Sequence, residues 1–359
     1  MNILHLLPTN QFGGGEKVVL QLAKYDDKNN IYVGCGNDIS KIFKKYNINA
    51  FPVDISNKKK FLKNISNFIK QEKIDIIHAH DNTISILAYL CKKKYKLKVK
   101  VISHIHNNYP WLPKKNIYKV IDQIFRNKYN FNIYCGEKVR EYYLEHGSYI
   151  NDAKAKVISN AIEIVECKNS LEKSDLKIEG KFIYGFIGRI TDQKGLEPFI
   201  KQLEKNKVLF DDSIFLIIGD GDKLKQVKKL VEELKLEDYF KFVGFQEDVY
   251  KFFNVVDVMF LPSLYEGLPM IILEAMAHEK AIVSMDVGSI NEVISDGITG
   301  LLVCKENYNE FIKALIKIKL DENLRVRCEK KSKEFIKQNY NISRQVNQVR
   351  EIYENIVNN

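Results

Sequence analysis

Short, nearly continuous apolar runs alternate with longer amphipathic stretches along the whole chain, and this alternation constrains the fold more than any other feature. In the first half the runs fall at 1–7, 31–34, 74–78, 99–103 and 131–135, with helix-like stretches such as 16–24 and 113–128 between them. In the second half they fall at 182–188, 213–219, 240–243, 256–261 and 281–285, with helical stretches such as 222–234 and 270–277. Strands that are apolar on both faces belong in parallel sheets covered by helices on each side. Each half carries enough strands for its own doubly wound sheet. The 359 residues suit two domains of roughly 100–200 residues each. The pattern breaks over 160–174, which marks the expected linker, and a terminal amphipathic helix is expected over 335–356. In open sheets of this kind ligands bind beyond the carboxyl ends of the strands, so functional residues should follow the apolar runs.

Charge is distributed unevenly. Residues 1–165 hold 27 Lys and Arg against 14 Asp and Glu, whereas the remainder holds 29 against 32. A basic half points to an anionic partner, and nucleic acid, anionic lipid or a phosphorylated substrate each fit that charge. A lysine-rich composition also raises the count without any partner, but it accounts less well for the asymmetry. Cys35, Cys91, Cys135, Cys167, Cys304 and Cys328 stand far apart with no C-x-x-C pair, which excludes a zinc ribbon and reads as buried free thiols. The apolar start lacks a basic leader and stops at Pro8, so it reads as a first strand. No run approaches the roughly 20 apolar residues of a membrane span, and the expected location is cytoplasmic, at most peripheral on the inner membrane face.

The segment VDVMFLPSLYEGLPMIILEAMAHEKAIVSMDVGSINEVISDGITG, residues 256–300, is the most informative. A strand ends at Leu261, a loop carries Glu266, Gly267, Leu268 and Pro269, and a helix from Met270 holds Glu274. Pro suits the first turn of a helix, and the free amides there attract phosphate. A nearby carboxylate can accept two bonds from vicinal hydroxyls. Either glutamate could equally serve its helix terminus alone. Arg189 and Lys194 follow the strand at 182–188, a planar fork and a mobile point charge suited to a diphosphate. Gly13, Gly14 and Gly15 form a loop before a helix. Such a loop lets backbone approach a ligand, or is merely a tight turn.

These segments resemble the retaining GT-B glycosyltransferases of family 4, the glycosyl transferases group 1. Glu266 and Glu274 match the E-x7-E signature, GFIGRITDQKGLEPFI the Gly-Arg…Lys-Gly segment, IIGDGDKL the Gly-x-Gly turn and GGGEKVVLQLA the glycine loop. VISNAI is similar to the hinge motif, with Ala161 where Gly is usual, a departure expected to alter the hinge slightly. The resemblance spans the chain in the right order. It implies two Rossmann-like domains facing each other across a cleft. Residues 1–164 would bind the acceptor, 165–335 the nucleotide sugar, and a helix in 336–359 would cross back to the first domain. It implies transfer of a hexosyl or N-acetylhexosaminyl group from a nucleotide sugar, a UDP-sugar by preference, to an acceptor hydroxyl in bacterial cell-surface polysaccharide or glycolipid synthesis. Candidate catalytic residues are His106, Glu266, Arg189 and Lys194. The donor site would comprise Gly14, Gly15, Arg189, Lys194, Gly219, Phe245, Glu266, Gly267, Leu268, Met270 and Glu274, with Glu266 on the sugar hydroxyls and Glu274 on the ribose. No residue is placed as a covalent nucleophile, which leaves a front-face displacement as the default.

His78 and His80, like His104 and His106, alternate at strand ends, and two such pairs mimic a four-ligand metal site. The resemblance implies no metal and no cofactor, only the nucleotide sugar as substrate. It places one histidine near the reacting carbon, where His106 fits best and His104 second. Its role would be positioning more than proton transfer. His80, His104 and Asn107 then read as acceptor-side residues. The resemblance also excludes nucleic acid and leaves a sugar or lipid-linked acceptor, with an anionic membrane surface expected against the lysines at 92–100 and 113–128. Alternatives are a nucleotide-sugar epimerase of the same fold, a non-catalytic anionic-ligand or lipid-binding protein and, weaker still, a nicotinamide-dependent oxidoreductase.

Overall fold

The computed structural model describes residues 1–7, 9, 11–147, 152–164 and 170–358, with no account of the Asp152 side chain. The chain divides into two compact units, one of Met1–Glu163 with Tyr340–Asn359 and one of Ile164–Asn339.

The first unit contains β1 (Asn2–Leu6), α1 (Gly14–Tyr25), β2 (Asn30–Cys35), α2 (Asn37–Lys45), β3 (Asn49–Pro52), α3 (Lys58–Gln71), β4 (Ile76–His80), α4 (Asn82–Lys94), β5 (Lys100–Ile105), α5 (Ile117–Arg126), β6 (Phe131–Tyr134), α6 (Glu137–His146) and β7 (Ala155–Val157). Its sheet is parallel in the order β3-β2-β1-β4-β5-β6-β7. Because side chains alternate across a strand, Leu4, Leu6, Ile77, Ala79 and Val101 bury one face against Phe61, Ile65, Ile84 and Leu87 of α3 and α4. The opposite face of the same strands carries histidines.

The second unit contains β8 (Phe182–Ile187), α7 (Leu196–Glu204), β9 (Ser213–Ile218), α8 (Leu224–Glu233), β10 (Phe240–Gly244), β11 (Val258–Leu261), α9 (Met270–Ala277), β12 (Ala281–Asp286), β13 (Leu301–Cys304), α10 (Tyr308–Leu320) and α11 (Glu322–Asn339). Its parallel sheet runs β10-β9-β8-β11-β12-β13. Phe215 anchors the core, with ring centroids of Tyr184, Phe199, Phe240 and Phe260 within 5.0–5.5 Å.

The strand–helix alternation is as read from the sequence, with three additions. β3, β7 and β13 all lie at sheet edges, where a short strand needs no long apolar run to be stable. The expected helix over 113–128 begins only at Ile117, where the Asn116 side chain accepts from the Lys119 amide at 3.0 Å. The single helix expected over 335–356 is corrected to two, α11 and α12 (Ile342–Asn358). Between them Asn341 bridges Ile162, and the Ile162 amide bonds the Tyr340 carbonyl at 3.2 Å, so the chain enters the first unit there. Cys35, Cys91, Cys135 and Cys328 are buried free thiols. Cys304 is exposed, at the end of an edge strand, against expectation, and Cys167 lies outside the described residues.

Candidate functional site

In the second unit the loops leaving the carboxyl ends of β8, β9 and β10 are packed backbone to backbone. The Gly219 amide bonds the Gly244 carbonyl at 2.9 Å, and the Gly188 amide bonds the Ile218 carbonyl at 3.0 Å. Gly219 has φ of +141°, and a Cβ there would sit 1.9 Å from the Gly188 carbonyl oxygen. Only glycine fits, because both the conformation and the space exclude a side chain. Phe245 follows directly with an exposed ring.

The loop after β11 carries the acidic candidate. Glu266 is buried, and its Oε1 lies 2.5 Å from Lys194 Nζ. Gln193 Nε2 donates to Glu266 Oε2 at 3.2 Å and to the Tyr265 carbonyl at 2.9 Å. The Leu264 amide donates to the Gln193 carbonyl at 2.8 Å, so the two loops are stitched together. From the far side Gly288, with φ of +62°, presses in so closely that a Cβ would meet the Glu266 carbonyl oxygen at 2.2 Å. The next amide, of Ser289, bonds the Gly267 carbonyl at 2.8 Å. Burial raises the Tyr265 phenol pKa, aided by the Glu266 and Asp192 charges and opposed by that of Arg189. Arg189 is half-buried and has no ion-pair partner among the described residues.

The structure thus brings Lys194, Glu266 and the neighbourhood of Arg189 together. Glu274 is buried in the second turn of α9. Leu268 and Met270 are buried. Gln193, Gly288 and Ser289 were not read from the sequence. Gln193 sits one residue from Lys194, and adjacency was the signal available.

In the first unit Gly14 opens α1, and Glu16 holds the glycine loop. Glu16 Oε2 accepts from the Gly13 amide at 2.9 Å, and its Oε1 accepts from the Thr9 hydroxyl at 2.6 Å. A Cβ on Gly15 would lie 3.9 Å from His106 Cδ2, which places the loop beside that histidine. His106 is one of five neighbouring imidazoles. His5, His78, His80 and His104 are wholly buried on β1, β4 and β5. His5 pairs in register with His78, and His80 with His104. His106 Nε2 lies 2.8 Å from His80 Nδ1, and His80 Nε2 lies 3.0 Å from His5 Nδ1. His104 Nδ1 lies 3.2 Å from His78 Nε2. Tyr353 of α12 closes the array, with its hydroxyl 2.7 Å from His78 Nδ1 and 3.5 Å from His5 Nε2. Burial lowers the pKa of every imidazole in the array, that of His5 to about 4, with the Asp81 charge opposing the shift at His106. The rings are therefore neutral near pH 7. His5 and Tyr353 were not read from the sequence. A histidine inside the apolar run 1–7 was visible, but nothing local marks Tyr353.

Within each of the triads His5, His78, His80 and His80, His104, His106, one nitrogen per ring lies within 4.8 Å of the others. Such sets suit a divalent cation, yet His78 and His80 already spend both nitrogens on neighbours. A cation would have to displace those bonds. A separate groove lined by Lys70, Lys73, Lys98 and Lys100 lies at the amino edge of β5, away from the edge where these sheets bind ligands.

Residues 168–335 match the family described as glycosyl transferases group 1, and residues 12–166 match glycosyltransferase family 4. The chain belongs to this family. The family assignment agrees with the resemblance drawn from the residues. Among curated proteins the chain is 25% identical over 316 residues to the Escherichia coli UDP-Gal:alpha-D-GlcNAc-diphosphoundecaprenol alpha-1,3-galactosyltransferase, covering 84% of this chain and 80% of that protein. It is 28% identical over 186 residues to a Campylobacter jejuni diphospho-undecaprenol 4-alpha-N-acetylgalactosaminyltransferase, covering 51% and 49%. Among solved structures it superposes on Anabaena Alr3699/HepE in complex with UDP-glucose with a TM-score of 0.86 at 18% identity, over 99% and 100% of the two chains. Staphylococcus aureus TarM in complex with UDP gives 0.79 at 15% identity. The fold is GT-B, α/β with two domains, and the chain is a glycosyltransferase.

Proposed function

We propose that the protein is a retaining glycosyltransferase that moves a hexosyl or N-acetylhexosaminyl group from a UDP-sugar to a hydroxyl of a lipid-linked or polysaccharide acceptor. The observation that carries this reading is the buried Lys194–Glu266 pair beside Arg189, next to the crowded Gly188–Gly219 loops. Arg189 and Lys194 would offset charge on the departing diphosphate, while Glu266 accepts bonds from donor hydroxyls. Phe245 offers an exposed ring to the nucleobase. Donor binding is assigned to the second unit and acceptor binding to the first. The scheme assigns no metal, with Arg189 and the Lys194 ammonium, which Glu266 also holds, as the cations that face the diphosphate. UDP is favoured by the named donor of the Escherichia coli relative and by the UDP-bound neighbours.

A membrane-surface acceptor is supported by α5, whose polarity is inverted. Its buried residues are Asp122 and Arg126, which pair with each other, and Arg126 also donates to Asn82 at 2.7 Å and to Ser103 at 2.9 Å. Its exposed residues include Ile117, Tyr118, Val120 and Ile124. An apolar stripe turned to solvent beside Lys114, Lys115 and Lys119 matches a helix that rests in an anionic lipid interface. No helix of the described residues is long and apolar enough to cross a membrane.

The deciding test is incubation with UDP-, GDP- and ADP-sugars and an undecaprenyl-diphosphate-linked sugar, with the anomeric configuration of the product read by NMR. An α-linked product from an α-configured donor supports the reading. An inverted product overturns retention, and donor consumed without acceptor indicates the epimerase.

A further inference from the structure

The four buried imidazoles, the half-buried His106 and the Tyr353 hydroxyl form two branches of one hydrogen-bonded array. One branch runs from Tyr353 through His78 to His104, with contacts of 2.7 and 3.2 Å. The other runs from Tyr353 through His5 and His80 to His106, with contacts of 3.5, 3.0 and 2.8 Å. Both end on a buried nitrogen with no partner, Nε2 of His104 and Nδ1 of His106.

A neutral imidazole has one N–H and one bare nitrogen, so each contact between rings needs a donor on one side and an acceptor on the other. Fixing one proton in a branch therefore fixes the whole branch. The Tyr353 hydroxyl has a single proton and can donate to only one branch, while it accepts from the other. If it donates to His78, then His78 and His104 both carry their proton on Nε2. The other branch must then donate toward Tyr353, and His5, His80 and His106 also carry theirs on Nε2. If it donates to His5 instead, all five rings are protonated on Nδ1. Accepting from both branches leaves the tyrosine proton unbonded, just as the first arrangement leaves the His104 Nε2–H unbonded and the second the His106 Nδ1–H, so each costs one buried donor. The array thus has three states of equal hydrogen-bond count, and only the two in which Tyr353 donates have one tautomer throughout.

The distances choose between them. Hydroxyl donors make the shorter bonds, near 2.7–2.8 Å, and ring N–H donors the longer ones. The 2.7 Å contact to His78 is accordingly the one that Tyr353 donates, and the 3.5 Å contact to His5 the one that it receives.

We propose that Tyr353 locks all five imidazoles in the Nε2–H tautomer, so that His106 presents a bare Nδ1 as a hydrogen-bond acceptor. The chemistry this atom selects is a donor such as a sugar hydroxyl. A phosphate or carboxylate oxygen would set lone pair against lone pair. Resting on the glycosyltransferase reading, a substrate hydroxyl donates to His106 Nδ1, and Tyr353, His5 and His80 are positioning residues acting through it. The lowered basicity of the buried rings agrees with a neutral array.

Histidine 15N NMR on the intact protein near pH 7 tests this directly. The seven histidines include an internal control. His278 Nδ1 faces the Glu274 carbonyl at 3.1 Å and must donate to it, so that ring is Nδ1–H. The expected result is five Nε2–H rings in the array, with His106 Nδ1 in the unprotonated range. Any of the five carrying its proton on Nδ1, or charged, overturns the proposal. In Tyr353→Phe the branches lose their common constraint, and His106 Nδ1 is expected to shift toward the protonated range. A folded variant with an unchanged pattern overturns the role of Tyr353. His5→Gln cuts only the longer branch and should free His106 while His78 and His104 stay Nε2–H. The same pattern at all three overturns the relay. These readouts need no turnover, so failure of the lock and failure of the glycosyltransferase reading are separately visible.

Discussion

Glu266 Oε1 lies 2.5 Å from Lys194 Nζ, with side-chain exposures of 6% and 14%. A pair this buried has little water to screen it, and loss of either partner strands the other charge. Lys194→Met is expected to destabilise the protein by about 3 kcal/mol. The double variant with Glu266→Met should recover most of that loss, and neither protein should transfer sugar. A urea denaturation cycle over the four proteins checks this, and strict additivity would refute the coupling.

Gly219 and Gly297 separate crowding from conformation. Both have positive φ, but a Cβ at Gly219 meets the Gly188 carbonyl at 1.9 Å whereas nothing lies within 4 Å of one at Gly297. Gly297→Ala should cost only about 1 kcal/mol, the price of a left-handed residue. Gly219→Ala should cost several times more and abolish stabilisation by UDP in a thermal-shift assay. Equal losses from the two substitutions would contradict the packing of these loops.

The buried histidines give the stability a sign with pH. Unfolded, each takes a proton near pH 6.5, whereas folded His5 takes one only near pH 4. Unfolding therefore consumes protons between those values. Stability is complete above about pH 6.5 and falls as pH drops toward 4, by about 3 kcal/mol for His5 alone. Urea midpoints taken from about pH 7.5 to about 5 should fall steeply, and less so in His5→Gln. A flat wild-type profile would mean that the imidazoles are not held neutral.

The apolar stripe of α5 predicts binding to vesicles containing phosphatidylglycerol but not to pure phosphatidylcholine, weakened by salt. Replacing Ile117, Val120 and Ile124 with Ser should reduce flotation at least tenfold, since each loses buried apolar area worth about 1 kcal/mol or more. Absence of any preference for anionic vesicles removes the membrane from the proposal.

The sheet cores were legible because a strand buried on both faces has to be apolar along its length, as at 182–187 and 213–218. The edge strands Asn49–Pro52 and Ala155–Val157 lack that signature. Glu266 and Lys194 were legible one by one, through glycine neighbours and strand-end positions. Their contact was not, since 72 residues separate them. The pairs His78 and His80, His104 and His106 stood out by alternation. The partner that organises them, Tyr353, lies 275 residues from His78, and only the packing of α12 reveals it.

That long separation has a consequence for synthesis. The second unit is one uninterrupted stretch, Ile164–Asn339, whereas the first is built from both ends of the chain. Domains generally fold as units in the order in which the ribosome releases them. Here the half made first waits longest. Until Tyr353 emerges, four imidazoles on its central strands and His106 just beyond β5 lack the hydroxyl that joins them, and the later-made unit can be complete before the earlier one.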